Sequence, residues 1–309
     1  MLVDYDDKIL CELLEFGFPI GYSGENLNNK KPRNHSGARD YPEFIFKYLQ
    51  KELEYKAIVA PLKVNPFVYS NLVLSPLNSV PKSTPGERRV ILDISFPADS
   101  CINKGIVKDV YLGEPVCLKY PSVDDLVQLI KSKGIVKEEP VCLNYQSVDD
   151  LVQLIKSKGR HCHIFKRDLR RAYRQIPIDP RDINLVGFHW KNHRFVDRVL
   201  SMGLRSSAHI CQRVTSSVVY MMNQCGYNLL NYLDDFAGAE APEDANKVFE
   251  FLHKLLTNCG LEESKDKACA PSTKMTFLGV EFNTVVLTLY VTSDSLILLT
   301  LHFMLPRIV

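Results

Sequence analysis

The sequence lacks the features of a secreted or membrane-spanning protein. None of its nine cysteines forms a Cys-x-x-Cys pair, and the N-terminus has no apolar core long enough for a signal peptide. An odd cysteine count without a signal peptide is typical of reduced thiols in an intracellular protein, in the cytoplasm or the nucleus. The very apolar stretch from Leu296 to Leu305 is far shorter than the ~20 residues that span a bilayer, so we expect no membrane partner.

A strong net charge is also missing. The formal charge is only +2, so the overall electrostatics do not indicate a nucleic-acid partner. Phosphate binding depends on where Lys and Arg lie rather than on their sum. One cluster of basic residues predicts either a phosphate channel or a solvated helix face. Its members are Lys166, Arg167, Arg170, Arg171 and Arg174. The length of 309 residues allows one large or two small domains.

What the sequence does contain is a pair of adjacent carboxylates, Asp234 and Asp235, behind an apolar run. The run, residues 227–233, predicts a strand, and the pair predicts the turn of a hairpin. Because adjacent carboxylates repel each other, two at a buried turn need a cation between them. Mg²⁺ is the hard divalent ion that phosphate chemistry uses. For the tetrapeptide taken alone, a solvated Asp-Asp turn is the better explanation.

A third carboxylate, Asp168, precedes Asp234 by 66 residues. Residues 161–168 predict a strand, and residues 168–175 predict a turn and a short helix that ends before Pro177. An Asp where a strand becomes a helix can point to the sheet edge at which open α/β sheets place ligands. The alternative role for this residue is a helix N-cap, which Asp also favours.

Five segments in this order resemble the palm and fingers of reverse transcriptases. In chain order they are residues 75–93, Asp168 with Ala172-Tyr173, the turn at Gly203 with its following helix, Tyr232-Leu233-Asp234-Asp235, and the strand-like Phe277-Leu278-Gly279. Shorter motifs are similar to retrotransposons of the DIRS type, which move by a tyrosine recombinase. These motifs are residues 34–38, 94–97, 100–105, 186–188 and 280–284.

The resemblance implies an α+β fold with the fingers and palm of a right-hand polymerase. The palm would be a ferredoxin-like antiparallel sheet with helices on one face. The implied domains are a lead-in at 1–55, fingers at 56–160, a palm at 161–291 with a second fingers segment at about 178–200, and an aberrant or truncated thumb start at 292–309. We also expect helices at 41–55 and 241–259, and a hairpin of the strands 274–282 and 285–291.

The fingers region contains an internal repeat. Residues 114–134 recur as residues 139–159, with two of the 21 positions changed. Two copies do not make a solenoid, and the close identity indicates a recent duplication or a faulty gene model. We expect the second copy to pack natively before the palm and the first to bulge out. Residues 295–309 lack the polar face of a thumb helix, so the chain resembles a truncated retroelement fragment.

The resemblance also assigns roles to single residues. Asp168, Asp234 and Asp235 correspond to the carboxylates that bind two Mg²⁺ ions, with Mn²⁺ as an alternative, and the Leu169 carbonyl would complete a metal shell. The other implied site residues are Lys267 (or Lys265) as the proton donor to pyrophosphate, Tyr173 as the steric gate against ribose, Lys82 and Arg89 on the triphosphate, and Gly203 and Gln212 behind the template and nucleotide. Without the resemblance, Tyr173 is equally well a core residue, and Lys82 and Arg89 are surface charges.

The implied function is that of an RNA-directed DNA polymerase, a nucleotidyltransferase that adds deoxynucleoside triphosphates to a primer. Its partners would be an RNA or DNA template with its primer. An inactive retroelement relic and a nucleic-acid-binding remnant are the alternatives. An RNA-directed RNA polymerase is disfavoured by Tyr173 and by the Tyr-x-Asp-Asp form of residues 232–235.

Overall fold

The computed structural model describes residues 2–24, 31–59, 72–82, 84–116 and 148–291. The chain divides into two compact units. The described part of the first unit comprises residues 2–5, 148–170 and 212–291, and that of the second lies within residues 6–116 and 171–211. Residues 1–55 therefore do not form a body of their own, and residues 171–211 group with the N-terminal part of the chain. No helix among the described residues is long and apolar enough to cross a membrane.

The first unit is built on a four-stranded antiparallel sheet in the order β10-β11-β7-β12. Its strands are β7 (His163–Asp168), β10 (Leu229–Tyr232), β11 (Asp235–Glu240) and β12 (Cys269–Ser272). The predicted strands before Asp168 and before the carboxylate pair both exist, although each begins two residues later than expected. Tyr232 ends β10, and only Leu233 and Asp234 form the turn, so Asp235 belongs to the next strand.

Helices cover both faces of this sheet. They are α4 (Val148–Lys158), α5 (Ser207–Gln224, of which residues from 212 belong to this unit) and α6 (Pro242–Asn258). Side chains of α4 pack with Ile164 and Ala237, whereas α6 packs Phe249 against Phe165, on the opposite face of β7. The antiparallel α+β fold is confirmed. The expectation of helices on one face holds for α5 and α6 but not for α4, because both faces of β7 are apolar and both need cover.

The pairing of β7 with β11 runs without a slip from Asp168 opposite Asp235 to His163 opposite Glu240. Gly238 lies opposite Phe165, at the centre of this ladder. A Cβ at Gly238 would overlap the Phe165 ring and lie 2.7 Å from Leu229 Cδ2, which is closer than real carbon contacts. Any larger residue at this position would therefore have to displace the Phe165 and Leu229 side chains.

Residues 274–291 form a separate three-stranded antiparallel sheet in place of the expected two-stranded hairpin. Its strands are β13 (Lys274–Phe277), β14 (Val280–Asn283) and β15 (Thr288–Val291). The single strand predicted for residues 274–282 is wrong because Leu278 and Gly279 both have positive φ, at 48° and 78°, and turn the chain back. The Phe-Leu-Gly segment is therefore a hairpin turn.

The second unit contains a four-stranded sheet in the order β1-β9-β8-β2 and a hairpin of β3 and β4. These strands are β1 (Ile58–Val59), β2 (Leu74–Ser75), β3 (Leu77–Pro81), β4 (Arg88–Leu92), β8 (Gly187–Trp190) and β9 (His193–Asp197). A short hairpin pairs β5 (Val110–Tyr111) with β6 (Glu114–Pro115). The helices are α1 (Leu10–Phe16), α2 (Ser36–Asp40) and α3 (Pro42–Glu54), with 3₁₀ turns at Ile102–Gly105, Ala172–Gln175 and Ile183–Leu185.

The second copy of the repeat forms α4, as expected. Leu151, on this helix, is fully buried, and Leu154 and Ile155 share its core with Ala237 and Ala239. The matching residues of the first copy, 123–130, lie outside the described residues. Because the two copies have nearly the same sequence, the same substitution in each copy tests which one contributes to the stability of the fold.

We predict that Leu151→Ala lowers the free energy of unfolding by about 2–5 kcal/mol, because it leaves a cavity under the sheet. Leu126→Ala, the same change at the matching position of the first copy, should cost less than about 1 kcal/mol. Denaturant unfolding of the full chain measures both values. Equal losses would show that both copies are packed.

Candidate active site

Two strand ends and one turn bring the three predicted carboxylates to the same edge of the sheet. Asp168 is the last residue of β7 and is buried, at 5% exposure. It lies directly opposite Asp235, the first residue of β11. Directly opposed residues on antiparallel strands carry their side chains on the same face, with Cβ atoms ~5 Å apart. The Asp234 carbonyl oxygen accepts a hydrogen bond from the Leu169 N–H at 2.9 Å, which fixes the turn beside Asp168.

The turn between β10 and β11 has an unfavourable backbone conformation, and the side chain of Gln212 stabilises it. Leu233 has a φ of 53°, a left-handed conformation that costs a non-glycine residue about 1–2 kcal/mol. Its N–H donates to Gln212 Oε1 at 2.8 Å, and Gln212 Nε2 donates to the Asn231 carbonyl oxygen at 3.3 Å. Asn231 in turn donates to Thr215 Oγ1 at 2.8 Å. Gln212 is 3% exposed, so its amide is a buried clamp on the carboxylate hairpin.

Two of the three carboxylates, Asp234 and Asp235, have raised pKa values. Burial, opposed by Lys166 and reinforced by Asp168 and Asp234, raises the pKa of Asp235 from 3.8 to about 7. Burial also raises the pKa of Asp234, with Asp168 adding to the effect and Lys267 opposing it. Asp235 Oδ1 is buried without a hydrogen-bond partner. Carboxylate oxygens are hard donors, and here one of them lacks a hydrogen-bond partner while several negative charges lie close together. This site therefore fits a divalent cation.

The cation that Asp168 contacts in the structure is the ammonium group of Lys267. Lys267 Nζ lies 3.1 Å from both carboxylate oxygens of Asp168. Burial lowers the pKa of Lys267, but the hydrogen bond and charge of Asp168 and the charges of Asp234 and Asp235 raise it above its usual value. In the described part of the chain, no three acidic, histidine or cysteine side chains already form a metal cage. A divalent ion at Asp168 would therefore have to displace this ammonium group.

Most residues of the basic cluster around Asp168 form ion pairs with carboxylates of the protein. Arg167 is 5% exposed; its Nη1 lies 2.6 Å from Glu263 Oε2, and its guanidinium stacks on the Phe249 ring at 3.6 Å. Arg170 pairs with Glu262 at 2.9 Å on the surface. The predicted phosphate channel is therefore wrong for Arg167, because a buried charge must be paired inside the protein.

In the second unit, two of the same basic residues are also paired. Arg174 Nη2 lies 2.7 Å from both Glu52 Oε2 and Asp197 Oδ1, with only 10% of its side chain exposed. Arg171 pairs with Glu52 at 2.6 Å. The phosphate-channel prediction is wrong for Arg174 as well. These arginines surround Tyr173, which is half-buried in the 3₁₀ turn Ala172–Gln175.

Three more of the predicted nucleotide-binding residues, Lys82, Arg89 and Gly203, also lie in the second unit. Arg89 is exposed on β4 opposite Val80, and Lys82 follows the end of β3 with its N–H bonded to the Glu87 carbonyl oxygen. By strand alternation, Lys82 and Arg89 present their side chains on one face of the hairpin. Lys82 Nζ pairs with Glu87 at 2.7 Å. Binding of a triphosphate by these residues stays a prediction.

Gly203 has a φ of +89°, and a Cβ there would meet nothing within 4 Å, so backbone conformation rather than space favours glycine. The Asn103 amide donates to the Gly203 carbonyl oxygen at 2.7 Å and accepts from the Arg205 N–H at 2.8 Å. Asn103 is thus a clamp on this turn. Its place in the 100–105 motif gave no indication of that role in the sequence.

The sequence places Lys166 in the basic cluster but reveals neither its effect on the pKa of Asp235 nor the fixing role of Gln212. Lys166 precedes Asp168 by two residues on the same strand, so alternation places both on one face, and this spacing could have identified it. The clamp by Gln212 on Leu233 leaves no comparable signal, because the two residues are 21 positions apart on a helix and a turn. Contact of Gln212 with a nucleotide stays a prediction.

Comparison with known proteins agrees with this geometry. Residues 80–282 match the family described as reverse transcriptase (RNA-dependent DNA polymerase). Because the match covers more than half of the chain, the chain belongs to this family and contains its polymerase domain. Reverse transcriptases generally use divalent metal ions. No curated protein sequence matches the chain.

Solved structures of the foamy viral protease-reverse transcriptase share the fold. The form named dRH, in complex with double-stranded DNA, has a TM-score of 0.62 and 18% identity over 89% of this chain and 39% of that chain. A second complex with double-stranded DNA has the same TM-score and identity over 90% and 46%. A complex with an RNA/DNA hybrid has a TM-score of 0.60 and 18% identity over 89% and 30%. The chain spans less than half of the length of these proteins.

We predict that Gln212→Leu lowers the free energy of unfolding by about 1–3 kcal/mol, because it leaves the Leu233 N–H and the Asn231 carbonyl without their buried partner. Gln224→Leu, an exposed position on the same helix α5, is the matched control. Denaturant unfolding compares the two variants. If both are equally stable, Gln212 does not hold the hairpin.

The raised pKa of Asp235 predicts a pH dependence in the presence of a chelator. Relative to Asp235→Asn, the Asp235 carboxyl contributes stability that is fully present below about pH 4 and is lost as the pH rises through about 7. The difference amounts to at most about 4 kcal/mol for three pKa units. Unfolding free energies of the two proteins from pH 4 to pH 8 measure it. Parallel pH profiles would contradict the shift.

Proposed function

We propose that the chain is an RNA-directed DNA polymerase that adds deoxynucleotides to the 3′ end of a primer on an RNA or DNA template. The observation that carries this proposal is the convergence of Asp168, Asp234 and Asp235 on one sheet edge, with an orphaned oxygen at Asp235. The printed descriptions of the foamy viral structures name double-stranded DNA and an RNA/DNA hybrid, which supports a template–primer duplex as the partner.

The three carboxylates would hold two Mg²⁺ ions, or Mn²⁺ in their place. When bound, the ions lower the pKa of the primer 3′-hydroxyl and neutralise charge on the triphosphate. Asp168 and Asp234 are the principal ligands, Asp235 supports them, and the Leu169 carbonyl completes a shell. Lys267 protonates the leaving pyrophosphate, and its contact with Asp168 favours it over Lys265 for this role.

Nucleotide binding is proposed for five further residues. Lys82 and Arg89 bind the triphosphate, with Arg89 suited to two parallel contacts with phosphate oxygens. The Tyr173 ring lies beneath the sugar and clashes with a ribose 2′-hydroxyl, so deoxynucleotides are selected. Gly203 and Gln212 back the template and the nucleotide. Lys82 and Arg89 lie on the same face of the β3–β4 hairpin, which supports a joint role of these two residues in binding the triphosphate.

We further propose that the chain derives from a retrotransposon of the DIRS type. The short motifs at residues 94–97, 100–105 and 280–284 support this narrower assignment. Within the second of them, Asn103 clamps the Gly203 turn, so the motif has a structural function and not only a resemblance.

We predict that the wild-type protein extends a DNA primer on an RNA template with Mg²⁺, and that Asp234→Asn lowers the rate at least about 100-fold by removing a metal ligand. Asp4→Asn, an exposed Asp in the same unit, should leave the rate unchanged. Extension that survives Asp234→Asn would refute the site.

A second readout does not depend on turnover. Saturating Mg²⁺ should raise the melting temperature of the wild type and of Asp4→Asn but not of Asp234→Asn. Magnesium-dependent stabilisation without primer extension would identify a folded metal-binding relic rather than an active polymerase.

A further inference from the structure

The buried carboxylate of Glu52, in the last turn of α3, binds two arginines. Glu52 is 4% exposed. Its Oε1 accepts a hydrogen bond from Arg171 Nη2 at 2.6 Å, and its Oε2 accepts from Arg174 Nε at 2.9 Å and Nη2 at 2.7 Å. Charge-assisted hydrogen bonds of this kind are short and fix the orientation of both partners. Glu52 therefore ties the end of α3 to residues 171–174.

Arg174 extends this network to the end of β9. Its Nη2 also donates to Asp197 Oδ1 at 2.7 Å, and its Nη1 donates to the Leu200 carbonyl oxygen at 3.4 Å. Asp197 is 1% exposed, and its other oxygen accepts from the Ser201 hydroxyl. Two buried carboxylates thus face two guanidinium groups, and the charges balance inside the unit.

The guanidinium of Arg174 stays charged in this environment. Burial alone would lower the pKa of Arg174, but Asp197, Tyr48 and Glu52 raise it well above its usual value. The network is therefore ionic rather than a set of neutral hydrogen bonds, and removing one carboxylate leaves an uncompensated buried charge.

Arg171 shows why the network matters for Tyr173. Its φ and ψ are 55° and 40°, the left-handed conformation that a residue with a Cβ avoids. Its side chain is held on both sides, by Glu52 and by the Tyr55 ring at 3.8 Å. The Arg171 carbonyl oxygen then accepts from the Arg174 N–H at 2.7 Å, which closes the 3₁₀ turn that carries Tyr173.

We propose that Glu52 is a positioning residue that fixes the Tyr173 ring, and that it thereby sets how strongly the polymerase rejects ribonucleotides. The inference rests on the proposed function, in which Tyr173 is the steric gate. Tyr173 lies between two arginines that share one acceptor, so the backbone on both of its sides is anchored to the same buried carboxylate. Glu52 itself contacts neither the sugar nor the reacting atoms.

Glu52→Gln changes charge and hydrogen bonding with little change in size. Arg174 then keeps the carboxylate of Asp197, whereas Arg171 loses the charge of its carboxylate partner, and the Gln amide can turn N–H donors toward both guanidinium groups. Arg171 loses the charged acceptor that holds its left-handed backbone, so the 3₁₀ turn is free to relax. Glu54→Gln is the matched control, because Glu54 is an exposed glutamate on the same helix.

Hydrogen exchange tests the positioning without catalysis. In the full-length Glu52→Gln protein, the amides of residues 172–176 should exchange about tenfold faster than in the wild type, while the β8–β9 ladder is unchanged. Glu54→Gln should match the wild type at both places. Unchanged protection of residues 172–176 in Glu52→Gln overturns the proposal, whether or not the protein extends primers.

Primer extension tests the consequence for specificity. The ratio of kcat/KM for a deoxynucleotide to that for the matching ribonucleotide should fall about tenfold or more in Glu52→Gln. In a Tyr173→Ala background, which lacks the ring, Glu52→Gln should not change this ratio further. An equal loss for both nucleotides, with the ratio preserved, would make Glu52 a structural residue only.

Arg171→Lys serves as the second variant if Glu52→Gln does not fold. Lysine keeps the positive charge but loses the planar contact with Tyr55 and the forked hydrogen bonding of the guanidinium. The exchange rates of residues 172–176 should rise and the discrimination ratio should fall, as for Glu52→Gln. If neither changes in a folded Arg171→Lys protein, the proposal fails. A wild type that extends no primer at all would instead refute the proposed function.

Discussion

Repulsion between carboxylates at one edge of a sheet is the constraint on which the first unit depends. Asp168 and Asp235 are forced together by the pairing of their strands, in an environment that raises the pKa of Asp235 to about 7. The molecule tolerates this cost because neighbouring groups oppose it, with Lys267 on Asp168 and Lys166 near Asp235. The left-handed Leu233 adds a second local cost, and the buried Gln212 amide opposes that one.

The sequence predicted the parts of this site that depend on local pattern. Alternating and apolar runs located the strands beside Asp168 and Asp234, and the order of the motifs indicated the family that residues 80–282 match. Where prediction failed, a local turn decided one outcome and a tertiary contact the other. The Phe-Leu-Gly segment continues the hydrophobic pattern of a strand, yet it turns at Leu278, and α4 covers a sheet face that the resemblance had left open.

The arginines around Asp168 show that composition alone does not reveal which partner a charged residue binds. In the sequence, a run of basic residues around Asp168 is the same pattern whether it meets phosphate or carboxylate. In the structure, Arg167 and Arg174 are buried against Glu263 and Glu52, residues that lie about 100 positions away along the chain. Partners so distant leave no periodic signal. Both arginines lie beside a predicted site residue, so the charge that the sequence suggested for phosphate binding is instead paired beside the backbone that carries Asp168 and Tyr173.

The close fit between β11 and β7 at Gly238 suggests one way in which the carboxylate site could be lost. Because side chains alternate along a strand, a slip of one residue would turn Asp235 away from Asp168 and leave every motif letter in place. Gly238, which leaves room for the Phe165 ring in the native register, lies three positions from the carboxylate and carries no chemistry of its own. A bulkier side chain at this glycine would disturb the pairing that brings Asp168 and Asp235 together, and the Tyr-Leu-Asp-Asp motif would still be intact in the sequence.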